Sequence, residues 1–215
     1  MHNLRILFQT NWLKTLYFNF HYLGWYGIHL PVIVSRNFRL KRMKGKVILG
    51  NKRKGKVFLG RNDCIHLDGK GIWANEGKIT FDDKCFIGNG TKISVLENGH
   101  LTFGSEVYIT GNSRLVCEHS ISIGKQSIIS WDVTIMDSDQ HSILDEFKHV
   151  INNPKAIVIG DKTWIGMGSL LLKGTVLPRE TIIAAKSIIS KAFTESNCIL
   201  GNVNEVMKKQ IFWEP

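Results

Sequence analysis

From Ile159 the chain repeats every six residues. Aliphatic side chains stand at Ile159, Ile165, Leu171, Leu177, Ile183 and Ile189. Four residues after the first five of these come Thr163, Ser169, Thr175, Thr181 and Ser187. A period of six matches neither an amphipathic helix nor a simple alternating strand. It fits a coil with three short flat faces per turn, each sending one aliphatic side chain inward. Small residues stand at the bends, where a bulky side chain would clash. Stacked turns pair strand on strand and bury a continuous aliphatic column.

The upstream half shows the same coil with longer turns. Leu59-Gly60, Phe81-Asp82, Phe103-Gly104 and Ile123-Gly124 recur at spacings of 22, 22 and 20 residues. Each closes an alternating apolar pair: Val57/Leu59, Ile79/Phe81, Leu101/Phe103 and Ile121/Ile123. Ile87 to Ile93, Ile109 to Leu115, and Ile123 through Ile129 to Ile135 keep the six-residue step. The pattern predicts about six coils over residues 57–192. One turn is interrupted by residues 137–156, a polar stretch with several acidic residues and histidines. Long excursions from a regular scaffold are usually functional. The expected organisation is a basic, aromatic segment 1–56 packing on or preceding the coil, the coil itself over 57–192, and a cap over 193–215. Within the cap, Val203 to Phe212 is expected to form a short helix that blocks the open end.

Charge adds one feature. Thirteen Lys and Arg residues precede the first acidic residue, Asp63, although the whole chain carries a net charge of +10. Such a block can lie on an anionic membrane or bind phosphate, or simply form a solvated basic face. The run from Thr15 to Val34 is apolar and aromatic. Asn19, His21, Gly24, Gly27, His29 and Pro31 interrupt it, so it reads as an interfacial or subunit-packing segment rather than a membrane span. The N-terminus has no secretory signature. No nucleic-acid motif accompanies the basic block, so a nucleic-acid partner is not expected. Cys64, Cys85, Cys117 and Cys198 show no CxxC spacing and read as buried core residues in a reducing compartment.

Ile159-Gly-Asp-Lys-Thr-Trp-Ile-Gly-Met-Gly-Ser169, followed by Ile183-Ala-Ala-Lys-Ser-Ile-Ile-Ser-Lys191, resembles the hexapeptide-repeat acyltransferases. The nearest likeness is to bacterial O-acetyltransferases of the galactoside, maltose and polysaccharide-modifying kind. It spans about residues 57–210. Tyr17-Phe-Asn-Phe-His-Tyr and Leu30-Pro-Val-Ile-Val34 also resemble the opening of acetyltransferases from surface-polysaccharide gene sets. The resemblance implies an all-β, left-handed parallel β-helix with an extended N-terminal segment, one protruding loop and a short C-terminal helix. It further implies a homotrimer with active sites between subunits, acetyl-CoA as co-substrate, no metal, and a saccharide acceptor that is free or lipid-linked. The expected location is the cytoplasm; from its charge, and not from the resemblance, the basic N-terminus is expected to make peripheral contact at the inner membrane face, near a lipid-linked saccharide.

His141, in Asp137-Ser-Asp-Gln-His-Ser-Ile143, matches the family's catalytic segment. A sugar hydroxyl must lose its proton as it attacks a thioester, and an imidazole near its working pH can accept it. Asp139 or Asp137 is expected to orient that imidazole. Asp137 and His119 are also candidates for the substrate side, whereas His149 matches no family position. By the resemblance, Trp164, Met167, Ala185, Ser190, Lys191 and Lys208 face the coenzyme. Lys186 replaces a usual glycine, and Glu205 follows a segment that lacks the family's proline. Two other readings compete. A γ-type carbonic anhydrase needs three converging histidines, and His66, His100 and His119 do not complete that spacing. A catalytically silent scaffold would leave the His141 loop unexplained.

Overall fold

The structure, a computed structural model, describes residues 9–50, 56–61 and 69–210. Three parallel sheets wrap a single aliphatic column and form a left-handed β-helix. The first turn consists of Val32–Val34, Phe38–Arg42 and Lys46–Leu49. Five more three-strand turns follow in the same order down to Val176–Leu177, with a partial seventh at Ile182–Ile183 and Ile188–Ile189. The coil therefore reaches back to Val32, into the segment that the repeat count sets apart. The six aliphatic positions of the hexapeptide register are at most 1 % exposed.

The small residues at the bends do more than avoid a clash. Thr163, Thr175, Thr181 and Ser187 are buried, and each hydroxyl donates to the carbonyl three residues earlier, at Gly160 (2.8 Å), Leu172 (2.7 Å), Pro178 (2.8 Å) and Ala184 (2.6 Å). A buried corner carbonyl needs a donor, and a short hydroxyl side chain supplies one locally. The glycine at position 160 has a packing cause: a Cβ there would lie 2.5 Å from the backbone nitrogen of Arg179 in the next turn.

One register expectation is corrected. Phe81, Phe103, Ile123 and Ile159 do share a face, and the Phe81 and Phe103 rings stack at 4.9 Å. The residue that pairs with Phe81 is Leu49, however, whereas Leu59 pairs with Ile87 on another face. Every face buries the same alternating apolar pair, so the pattern cannot say which face a pair occupies.

The two ends are closed differently from expectation. The N-terminal segment is not extended throughout: Trp12–Leu23 is an α-helix, started by the Asn11 side chain, which accepts from the Lys14 amide at 2.9 Å. Its buried Thr15 and Asn19 serve the exposed edge of the first sheet in place of a strand. Asn19 donates to the carbonyls of Thr15 (2.7 Å) and Val32 (2.6 Å) and accepts from the Val32 amide (3.1 Å). Thr15 Oγ1 accepts from the Val34 amide at 3.0 Å. Phe18 plugs the end of the column against Trp73, ring centroids 5.0 Å apart. At the other end the expected helix is absent among the described residues. Cys198–Gly201 and Glu205–Lys209 instead form an antiparallel hairpin that continues the first sheet. Asn202 and Asn204 take left-handed backbone at its turn. Unpaired N–H and C=O groups at the last sheet edge favour a strand over local helix propensity.

Candidate active site

Residues 137–156 leave the coil between the strands Thr134–Met136 and Ile157–Ile159. Asp137, the first residue out, is fully buried. Its carboxylate accepts three backbone N–H groups of the preceding turn, from Glu118 (2.8 Å), His119 (2.9 Å) and Ser120 (2.7 Å). Its own carbonyl accepts from the Lys155 amide at 3.0 Å, so it ties both ends of the loop to the scaffold. Burial, and after it the Asp137 charge, pushes the neighbouring Cys117 thiol up. The expectation that Asp137 faces substrate is thereby corrected: its oxygens are spent on the backbone, away from solvent.

Further out the loop is held by Asn152. Its amide donates to Asp139 Oδ2 (2.7 Å) and to the carbonyl of His141 (2.8 Å), and its Oδ1 accepts from the Ile143 amide (2.7 Å). Lys173, from the next turn of the coil, pairs with the same Asp139 oxygen and donates to the carbonyl of Asn152 at 2.8 Å. Lys173 and then Asn152 hold the Asp139 carboxyl below the usual carboxylate range, so it stays an anion. Among the described residues no hydrogen bond joins the His141 ring to Asp139 or Asp137. The expected acid–imidazole pair is replaced by a clamp on the backbone that carries the imidazole.

The exposed His141 ring lies on an open cleft of about 240 Å³. Its walls include Glu118, Ser138, Asp139, Gln140, Asn152 and Asn153. Gln140 donates to Ser138 Oγ (2.7 Å) and Glu118 Oε2 (3.2 Å). Polar groups around an imidazole suit a hydroxylated ligand. Beyond the cleft, Asp145 caps a tight turn by accepting from the amides of Phe147 and His149, and the tip exposes Phe147 and Ile151. His149 bonds within this tip, to Asp145 at 3.3 Å.

The other expected residues fall into separate groups. Trp164, Met167 and Ala185 are exposed: Trp164 is on the strand that leads to the corner holding Met167, and Ala185 is at the same corner one turn on, beside Lys186, whose amide donates to the carbonyl of Met167 at 2.8 Å. The Trp164 indole N–H donates to Ser130 Oγ at 3.2 Å. Ser190 and Lys191 lie at the next corner. There Ser190 is engaged by Asn204 through both its amide (2.8 Å) and its hydroxyl (3.0 Å). The Lys191 ammonium sits over the Phe193 ring at 5.2 Å. Lys208 is on the terminal hairpin. His119 is exposed but is not among the residues lining the His141 cleft, and His66 and Cys64 lie outside the described residues. Among the described residues no group of three His, Cys, Asp or Glu side chains converges as a metal site.

Sequence reasoning missed Glu118, Gln140, Asn152 and Lys173. Gln140 and Asn152 lie in the excursion that drew attention, but nothing in their spacing distinguishes them. Lys173 is 34 residues from Asp139 and meets it only through the stacking of turns.

No family model matches the chain. It is 25 % identical over 148 residues to the putative lipopolysaccharide biosynthesis O-acetyl transferase WbbJ of Escherichia coli K12, covering 63 % of this chain and 74 % of that protein. It is 26 % identical over 188 residues to an uncharacterized 24.8 kDa protein in the cps region of Klebsiella pneumoniae, covering 85 % and 81 %. Among solved structures, the polySia-specific acetyltransferase NeuO shares the fold, with a TM-score of 0.50 at 22 % identity over 83 % of this chain and 89 % of that one.

Proposed function

We propose that this chain, a hexapeptide-repeat acyltransferase, transfers an acetyl group from acetyl-CoA to a hydroxyl of a saccharide in the making of a surface polysaccharide, with His141 as general base. The observation that carries the reading is the placement of His141: a long excursion from the coil, clamped by Asp137, Asn152 and Lys173, sets an exposed imidazole on a polar cleft. The likeness to WbbJ supports the reaction class and the polysaccharide setting.

The chemistry is a direct transfer. An unprotonated ring nitrogen of His141 takes the hydroxyl proton as the oxygen attacks the thioester carbonyl. The C–S bond then breaks, and the coenzyme A thiolate collects the proton from the imidazolium. Asp139 acts on this step through the loop backbone: its anion anchors Asn152, which holds the His141 carbonyl. The corner formed by Trp164, Met167, Ala185 and Lys186 suits the pantetheine arm, with backbone and flat side chains exposed along it. Lys186 takes a left-handed backbone (φ 59°), and its stem lies beside Gly168, so it offers a flexible cation to the coenzyme phosphates. Ser190, Lys191 and Lys208 serve the coenzyme less directly, since Asn204 and Phe193 already engage the first two. The open side of the cleft and the apolar loop tip fit a homotrimer in which a second subunit completes each site. The enzyme works in the cytoplasm, where acetyl-CoA is available.

The test is thiol release from acetyl-CoA with a panel of saccharides, the products read by NMR for O-acetyl groups. His141→Ala is expected to lower kcat by roughly 10² to 10⁴ while leaving coenzyme affinity unchanged. Equal turnover in wild type and variant at saturating coenzyme sinks the base assignment. Coenzyme binding with no turnover on any acceptor favours a binding scaffold.

A further inference from the structure

The N-terminal helix has a mixed polar and apolar inner face and an apolar outer one. Thr15, Phe18 and Asn19 turn inward and are buried, with Tyr22 packed on the core. On the opposite face Leu13 is 81 % exposed and Tyr17 55 %, beside Leu16 and Phe20, and that face has no charged residue. The chain then continues into Gly24–His29, where Trp25 is 87 % exposed and Ile28 64 %. An outer helix face this apolar normally lies at an apolar boundary. Among the described residues nothing covers the outer face.

The flanks of the helix are basic. Lys14 donates to the carbonyls of Arg36 (2.9 Å) and Phe38 (2.8 Å), which places Arg36 and Arg39 at the first turn. His21 bonds the Met43 carbonyl at 2.7 Å, which places Lys41 to Lys44 at the last. Arg36, Arg39 and Lys41 are exposed and have no carboxylate partner among the described residues, whereas Glu76 takes Arg42 and Lys44. No acidic residue occurs before Asp63. A second copy would meet this surface with the same positive charge, which disfavours self-association through it. No described helix is long and apolar enough to cross a bilayer.

We infer that the outer face of Trp12–Leu23, with Trp25 and Ile28, inserts into the surface of an anionic phospholipid membrane, and that Arg36, Arg39 and Lys41 contact the headgroups. Aromatic and aliphatic side chains on an in-plane helix, bordered by cations, match the polarity profile of that boundary. The docking is independent of which hydroxyl the enzyme acetylates.

The test is co-sedimentation of the full chain with phosphatidylcholine vesicles, with and without phosphatidylglycerol. Wild type is expected to bind only the anionic vesicles and to be released by salt. Leu13→Glu with Tyr17→Glu should lower the partition coefficient by about tenfold or more. Arg36→Gln and Arg39→Gln should each lower it roughly fivefold. Thermal unfolding of the variants, expected at the wild-type midpoint, controls for folding. Failure of wild type to bind anionic vesicles overturns the inference, as does equal binding by all variants. A wild-type oligomer that Leu13→Glu with Tyr17→Glu dissociates in sedimentation velocity also overturns it, because a second copy would then cover the face.

Discussion

Asp137 separates a structural reading of the loop base from a substrate-binding one. Its carboxylate accepts three backbone N–H groups at 2.7–2.9 Å and is fully buried. In Asp137→Ala all three donors lose their acceptor inside the protein, at about 1–3 kcal/mol each. The removed charge had itself been desolvated, which offsets part of that loss. The net expectation is about 3–5 kcal/mol of lost stability, a fall in melting temperature of roughly 6–20 °C for a chain of this size. Asp137→Asn keeps one oxygen for His119 and Ser120 but turns an NH₂ group towards the Glu118 amide. It is expected to cost about 1–2 kcal/mol. Urea and thermal unfolding measure both, and saturation kinetics with a saccharide acceptor measure KM. Both variants should lose stability in this order, and any remaining folded Asp137→Asn enzyme should keep its acceptor KM. If Asp137→Asn is as stable as wild type but raises the acceptor KM more than tenfold, Asp137 faces substrate and the structural argument is wrong.

Two further predictions concern the helix cap and the loop clamp. Asn19→Leu leaves the buried Val32 N–H and C=O unpaired and should cost about 2–5 kcal/mol by urea unfolding; a change under about 0.5 kcal/mol, the scale of an ordinary surface substitution, would mean the edge is satisfied in another way. Lys173→Met should leave the global unfolding midpoint in place, raise amide exchange in residues 139–152, and reduce kcat by roughly ten- to a hundredfold through misplacement of His141. The same clamp predicts a pH dependence. The folded Asp139 carboxyl titrates below its ordinary value because Lys173 and Asn152 favour the anion. Loop protection is therefore complete above the ordinary carboxylate value of about 3.9 and is lost as the pH falls through the lowered one. Loop loosening that begins near neutral pH in exchange measurements contradicts this assignment.

How much of this was legible follows from the range of each interaction. The hexapeptide step is local, so the inward positions Ile159 to Ile189 could be read one after another, and all are buried. The loop and its histidine stood out as a break in that step. Face identity did not follow, because Leu59 and Leu49 carry the same alternating pattern, and only strand pairing places Leu49 beside Phe81. The C-terminal strand was missed for a related reason: residues 205–209 have no decisive preference of their own, and an unsatisfied sheet edge chooses for them.

The repeat by itself determined a coil with an aliphatic column and a histidine-bearing excursion, because inward and corner positions recur at a fixed short spacing. The tertiary structure alone decided what each polar residue of the excursion does. Asp137 meets amides 17–19 residues away, and Asp139 meets an ammonium 34 residues away. These partners become neighbours only when successive turns stack, and the spacing of one turn carries no record of what the next will place beside it.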